Sequence, residues 1–135
     1  MSEEILVPIN CDLDIVTARQ RARALALELG FQAVDLTLIA TAISELARNI
    51  VHYARQGEIL LRPIDNKNGK RGLLVIARDE GPGIPNISRA LQDGFSTSGS
   101  LGLGLPGARR LMDDFEIVSG PSSGTTITAR KWIKV

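Results

Sequence analysis

Residues 41–53, TAISELARNIVHY, constrain the fold more than any other stretch. Read as a helix, they continue a stripe of Ile39, Ile43, Leu46, Ile50 and Tyr53, wide enough to seat the helix on a core. Thr41, Glu45, Asn49 and His52 then stack on the other side at steps of four, four and three. An acid, a neutral amide and an imidazole thus share one wet face of a well-buried helix. Glu45 can polarise a hydroxyl or hold a metal-bound water. The Asn49 side-chain carbonyl is a hard oxygen ligand of the kind Mg²⁺ accepts beside phosphates and waters. Taken alone, the pattern more often means an ordinary solvated face. The downstream stretches decide.

The chain has 135 residues, the size of one domain, so residues 1–135 are expected to form a single unit. With 44 % hydrophobic residues it can bury a real core without staples. Sixteen basic residues against fifteen acidic ones give no general nucleic-acid or membrane-surface binder. Cys11 is the single cysteine, which excludes an intrachain disulfide and a thiolate cluster and reads as a small apolar filler near a helix start. One histidine gives no His-based metal site. The acidic start MSEEILVPIN is no signal peptide, and runs such as LLVIA are too short to span a bilayer. A soluble cytoplasmic protein is expected.

In order along the chain, residues 4–9 read as a short strand stopped near Pro8. Asp12 or Asp14 offers an N-cap to a helix through Leu29, with Gly30 as its stop. Arg19, Arg21 and Arg23 on it are expected to face solvent. A second helix spans residues 33–54. Strands at 58–64 and 71–78 follow, joined by the turn-rich DNKNGK. Residues 86–93 are expected to form a short helix, and Pro106 to start another that runs to about Asp113. Strands at 115–119 and 125–133 close the chain, with Trp132 packing at the sheet's end.

The second central strand ends in ARDEGPGIP. A carboxylate there, Asp79, followed by Gly81 and Gly83, can meet a flat ligand that approaches the backbone closely. The same letters also make a plain turn. Residues 94–105, GFSTSGSLGLGL, hold four glycines and four hydroxyl side chains and carry no charge, which suits a backbone that closes over phosphates. Gly102, Gly104 and Gly107 match the dinucleotide fingerprint GxGxxG. That fingerprint needs a preceding strand and an acid about twenty residues on. Neither is present, so a Rossmann site is rejected. A eukaryotic-type protein kinase is also rejected, since VAIK, HRD and DFG stretches are missing.

These pieces, in this order, resemble the GHKL (Bergerat) ATP-binding fold. Residues 45–49 look like its N-box and residues 79–83, DEGPG, like its first glycine box. Residues 102–105, GLGL, resemble the second box, and residues 124–126, GTT, the last. The compact length, GSLGLGLPGARRLMD and GTTITARKW are most similar to RsbT-type switch kinases, bacterial serine/threonine kinases related to anti-sigma-factor kinases. The resemblance implies an α/β two-layer sandwich: a mixed, mostly antiparallel sheet with helices on one face and a glycine-rich ATP lid over residues 85–104.

Carried over position by position, the resemblance makes Glu45 the residue that orients or deprotonates the acceptor hydroxyl and Asn49 the Mg²⁺ ligand. Asp79 would accept a hydrogen bond from the adenine amine, with Gly81, Gly83, Ile84 and Thr126 around the base. Backbone donors of Gly102, Leu103, Gly104 and Leu105 would meet the phosphates. Residues 94–107 bring no cation to the γ-phosphate; Arg89 is the nearest in the lid, with Arg109 and Arg110 after it. The implied activity is Mg-ATP-dependent phosphorylation of a STAS-domain regulator in a partner-switching pathway. The alternative is a nucleotide-gated module that captures a partner such as a phosphatase, with little transfer. A simple ATPase is a third reading.

Overall fold

Five apolar stretches pair into one sheet in the order β1-β2-β3-β5-β4, with every pairing antiparallel. The strands are β1 (Ile5–Ile9), β2 (Gly57–Asp65), β3 (Arg71–Asp79), β4 (Asp114–Gly120) and β5 (Gly124–Trp132). Among the described residues three helices accompany them: α1 (Asp12–Leu29), α2 (Ala33–Tyr53) and α3 (Gly104–Leu111). This computed structural model describes residues 4–66, 68–81, 104–120 and 124–134. The expected short helix at 86–93 and most of the expected lid lie outside them. Among the described residues, no helix is long and apolar enough to cross a membrane.

The architecture is α+β in two layers. Strand residues alternate sides, and Val7, Ile9, Ile59, Leu61, Leu73, Val75, Ala77, Ile127 and Ala129 point into one core with the helices. α2 supplies Ile39, Ile43, Leu46 and Ile50 to that core and packs against α1 on one flank and α3 on the other. α3 approaches through small residues, with Gly107 and Ala108 both buried.

Several expectations change in detail. The sheet is wholly antiparallel rather than mixed. β1 runs through Pro8 to Ile9, which its edge position permits because no neighbour needs the missing N–H. Cys11, not an aspartate, is the N-cap of α1; it is exposed rather than a filler. Asp14 instead accepts hydrogen bonds from the backbone N–H groups of Asn10 at 2.8 Å and Cys11 at 3.2 Å. Gly30 ends α1 at φ +100° as expected. α3 begins at Gly104, two residues before Pro106, and ends before Asp113, whose N–H already joins the sheet at Arg130 O. The ring of Trp132 lies over Gly72 and its Nε1–H donates to Asp114 at 3.1 Å, so it packs at the sheet's end. Arg19, Arg21 and Arg23 are exposed.

Candidate functional site

One end of the sheet carries an uninterrupted row on its helix-facing side. Gly57 on β2 pairs with Asp79 on β3, Asp79 with Thr125 on β5, and Thr125 with Ser119 on β4. Register partners share a face, so the three side chains stand side by side. Thr125 is 4 % exposed, and its hydroxyl lies 2.8 Å from Ser119 Oγ. Asp79 Oδ1 accepts the Gly81 N–H at 2.9 Å, a local turn bond. Its Oδ2 has no hydrogen-bond partner among the described residues and can receive an N–H from a ligand.

Glycines let the backbone segments close up at this end. A Cβ on Gly124, at φ +75°, would fall 2.0 Å from the carbonyl oxygen of Asp79. A Cβ on Gly57 would meet Arg78 O at 2.3 Å and the Ile50 side chain at 2.9 Å. One on Gly81 would meet Ala54 at 2.7 Å. The last turn of α2 therefore rests against both the start of β2 and the end of β3. This contact ties α2 to Asp79.

Measured back along α2 from Ala54, Asn49 stands about 7.5 Å away and Glu45 about 13.5 Å, at 1.5 Å per residue. Asn49 is half-buried and His52 exposed. Glu45 departs from the expectation of a wet face: it is only 6 % exposed. Arg48 Nη1 meets Glu45 Oε2 at 2.5 Å. A buried carboxylate needs such a partner. Tyr53 also departs, being 47 % exposed, so the apolar stripe ends at Ile50.

Asp79 and Gly81 thus lie together beside the end of α2, with Glu45 and Asn49 further back along it. Gly104 and Leu105 open α3, which packs against α2, and the Leu105 side chain enters the core. Gly83, Ile84, Gly102, Leu103 and Arg89 lie outside the described residues. Thr126 requires a correction. It pairs with Arg78 on the opposite face of the sheet, away from Asp79, and Thr125 is the residue that stands opposite Asp79. The signal was present: Ile127 and Ala129 face the core, and Thr125 has their parity. Arg48, at i+3 from Glu45, and Ser119, beside Thr125, join these groups without a motif that marks them.

The donor set suits a nucleotide with a hard cation. Asn49 offers a neutral oxygen, and no three His, Cys, Asp or Glu side chains gather to hold a metal among the described residues. An ion here would share its coordination with the ligand's phosphates.

Comparison with known proteins places the chain in a family. Residues 8–131 match the model of the histidine kinase-like ATPase domain. The chain belongs to that family. It is 52 % identical over 134 residues to the serine/threonine-protein kinase RsbT of Bacillus subtilis, covering 99 % of this chain and all of the relative. It is 36 % identical over 119 residues to an anti-sigma F factor of Bacillus licheniformis, covering 84 % and 81 % of the two chains. Among solved structures, the RsbU and RsbW domains of a Mycobacterium tuberculosis protein superpose with a TM-score of 0.65 at 22 % identity. That match spans all of this chain and 33 % of the other. Full-length ShkA gives 0.57 at 20 % identity, spanning 98 % of this chain and 32 % of ShkA. These two likenesses concern the fold.

Proposed function

We propose that the protein is a Mg-ATP-dependent protein serine/threonine kinase that phosphorylates a STAS-domain regulator in a partner-switching pathway. The observation that carries the reading is the order of groups along α2: Asp79 beside its last turn, then Asn49, then the buried Glu45. That order suits an extended nucleotide whose base sits at the sheet's end and whose terminal phosphate reaches Glu45. The kinase class is supported by the near-full-length identity to RsbT, and the partner-switching role by the anti-sigma-factor relatives. The STAS-domain substrate is inferred from the same resemblance.

Each residue has a task that its chemistry allows. Asp79 Oδ2 accepts the adenine 6-amino N–H and repels the carbonyl that guanine presents there, which selects ATP over GTP. Thr125 holds the base beside it through its hydroxyl. Asn49 would hold Mg²⁺, which supplies positive charge to the phosphates when bound. Glu45 accepts the proton of the acceptor hydroxyl while that oxygen bonds to the γ-phosphorus. The bond from the γ-phosphorus to the β–γ bridging oxygen breaks, and ADP leaves with its electron pair.

The ion pair between Arg48 and Glu45 is also compatible with one other reading, in which it is purely structural. The chain would then be a nucleotide-gated module that captures a partner, such as a phosphatase, with little transfer. Incubation with Mg²⁺, ATP labelled at the γ-phosphate and a panel of STAS-domain proteins separates them. Label on a partner serine or threonine, lost in Glu45→Gln and Asn49→Ala, is expected. ATP binding without transfer would leave the module, and no ATP binding would end both readings.

A further inference from the structure

We infer that Arg48 is a positioning residue for phosphoryl transfer, holding the Glu45 carboxylate so that one oxygen alone remains to take the acceptor proton. The inference rests on the kinase reading and adds a residue to it. Glu45 is 6 % exposed, and Arg48 is its only ion-pair partner among the described residues. The bond engages Oε2, which leaves Oε1 for the hydroxyl.

Helical geometry makes the clamp one-sided. At 100° per residue, Asn49 lies about 40° to one side of Glu45 and Arg48 about 60° to the other. The guanidinium therefore holds the carboxylate from the flank away from the proposed metal ligand. It does not occupy the side where the phosphates are expected. An unclamped carboxylate on a buried helix face would choose among rotamers, and only some would point at the acceptor. Arg48 itself is partly open to solvent, its side chain 33 % exposed, so its remaining donors need no protein partner. In the transfer step, the acceptor oxygen bonds to the γ-phosphorus, its proton passes to Glu45 Oε1, and ADP departs. Arg48 stays bound to Oε2 throughout and takes no proton.

The test compares wild type with Arg48→Ala, Arg48→Lys, Glu45→Gln and the double variant Glu45→Gln/Arg48→Ala. Two readings are taken: affinity for a fluorescent ATP analogue with Mg²⁺, and the rate of label transfer to a STAS-domain acceptor at saturating ATP. Circular dichroism confirms that each variant is folded. Arg48→Ala should slow transfer at least tenfold while leaving nucleotide affinity within about twofold. Arg48→Lys, which keeps a donor at the same helical position, should recover at least a third of the rate. In the Glu45→Gln background, Arg48→Ala should cost less than twofold more, because both changes act through one carboxylate. Transfer by Arg48→Ala at the wild-type rate would overturn the inference alone. So would an equal loss in both backgrounds, or a loss confined to nucleotide affinity. Absence of transfer by wild type would overturn the inference together with the kinase reading.

Discussion

At the scale of single residues, the site turns on which side of a strand a hydroxyl occupies. Thr125 stands opposite Asp79 on the helix-facing side and Thr126 opposite Arg78 on the other. Replacing each by valine removes one hydroxyl at nearly constant volume. Thr125→Val should weaken binding of a fluorescent ATP analogue about fivefold, the net value of a typical hydrogen bond near 1 kcal/mol. Ser119→Ala, which removes the partner hydroxyl, controls for the local bond broken in that variant. Thr126→Val should leave affinity within about twofold. The reverse result would restore the expectation drawn from the GTT motif. Asp79→Asn should cost more, about 1.5–3 kcal/mol, because a charge-assisted bond is lost and the amide can turn its NH₂ toward the adenine amine. Equal affinity in that variant would mean that the base lies elsewhere. Asp79, Glu45 and Asn49 could be singled out from the sequence because their spacing is local, along one helix or at one strand end. Thr125 required parity anchored on Ile127 and Ala129. The burial of Glu45 could not be read at all, since it is set by tertiary packing around α2 that no local pattern encodes.

At the scale of elements, the joints around Asp79 are where sequence and geometry are most tightly matched. Just past α2, Arg55 stands at φ +72°, and the N–H groups of Ala54 and Arg55 both donate to Ile50 O, at 2.9 and 2.8 Å. Glycine is the residue that this left-handed position favours. Arg55→Gly should therefore stabilise the protein by about 0.5–1 kcal/mol, the left-handed penalty being partly offset by glycine's freedom in the unfolded chain. A rise in urea midpoint at constant m would show it, and an unchanged or lower midpoint would assign Arg55 a contact that outweighs the strain. Gly124→Ala should act the other way. Its Cβ would collide with the Asp79 carbonyl at 2.0 Å in a backbone conformation that alanine resists. A loss of about 2 kcal/mol or more is expected from strain and separation of β5 from β3. Strands, helices and the Asn66 turn, whose Oδ1 accepts the N–H groups of Asn68 and Lys70, follow local periodicity and turn chemistry. Their order across the sheet does not. The placement of β5 between β3 and β4 brings Thr125 to Asp79, and no local pattern encodes it.

At the scale of the whole molecule, the candidate site has no layer of its own. Its groups come from α2, from the ends of β3 and β5, and from the glycines that let those parts approach. Several of these groups, Gly57, Gly81 and Thr125 among them, also belong to the packing that holds helices on sheet, so a nucleotide that bridges them is bound only by the folded chain. Ligand and stability are then linked by mass action. ATP with Mg²⁺ at about one hundred times its dissociation constant should add about 2.7 kcal/mol. For a domain of this size that raises the thermal midpoint by about ten degrees. GTP at the same concentration should add almost nothing, because its carbonyl would face Asp79 Oδ2 where ATP presents an amine. Removing Mg²⁺ with a chelator should reduce the ATP shift, while Asn49→Ala should make it nearly insensitive to the chelator. Differential scanning fluorimetry reads all four conditions on one preparation. Equal shifts with ATP and GTP would place recognition in the phosphates alone and remove Asp79 from the site. A shift with ATP that ignores the chelator in wild type would remove the metal from Asn49 while leaving the base where Asp79 and Thr125 hold it.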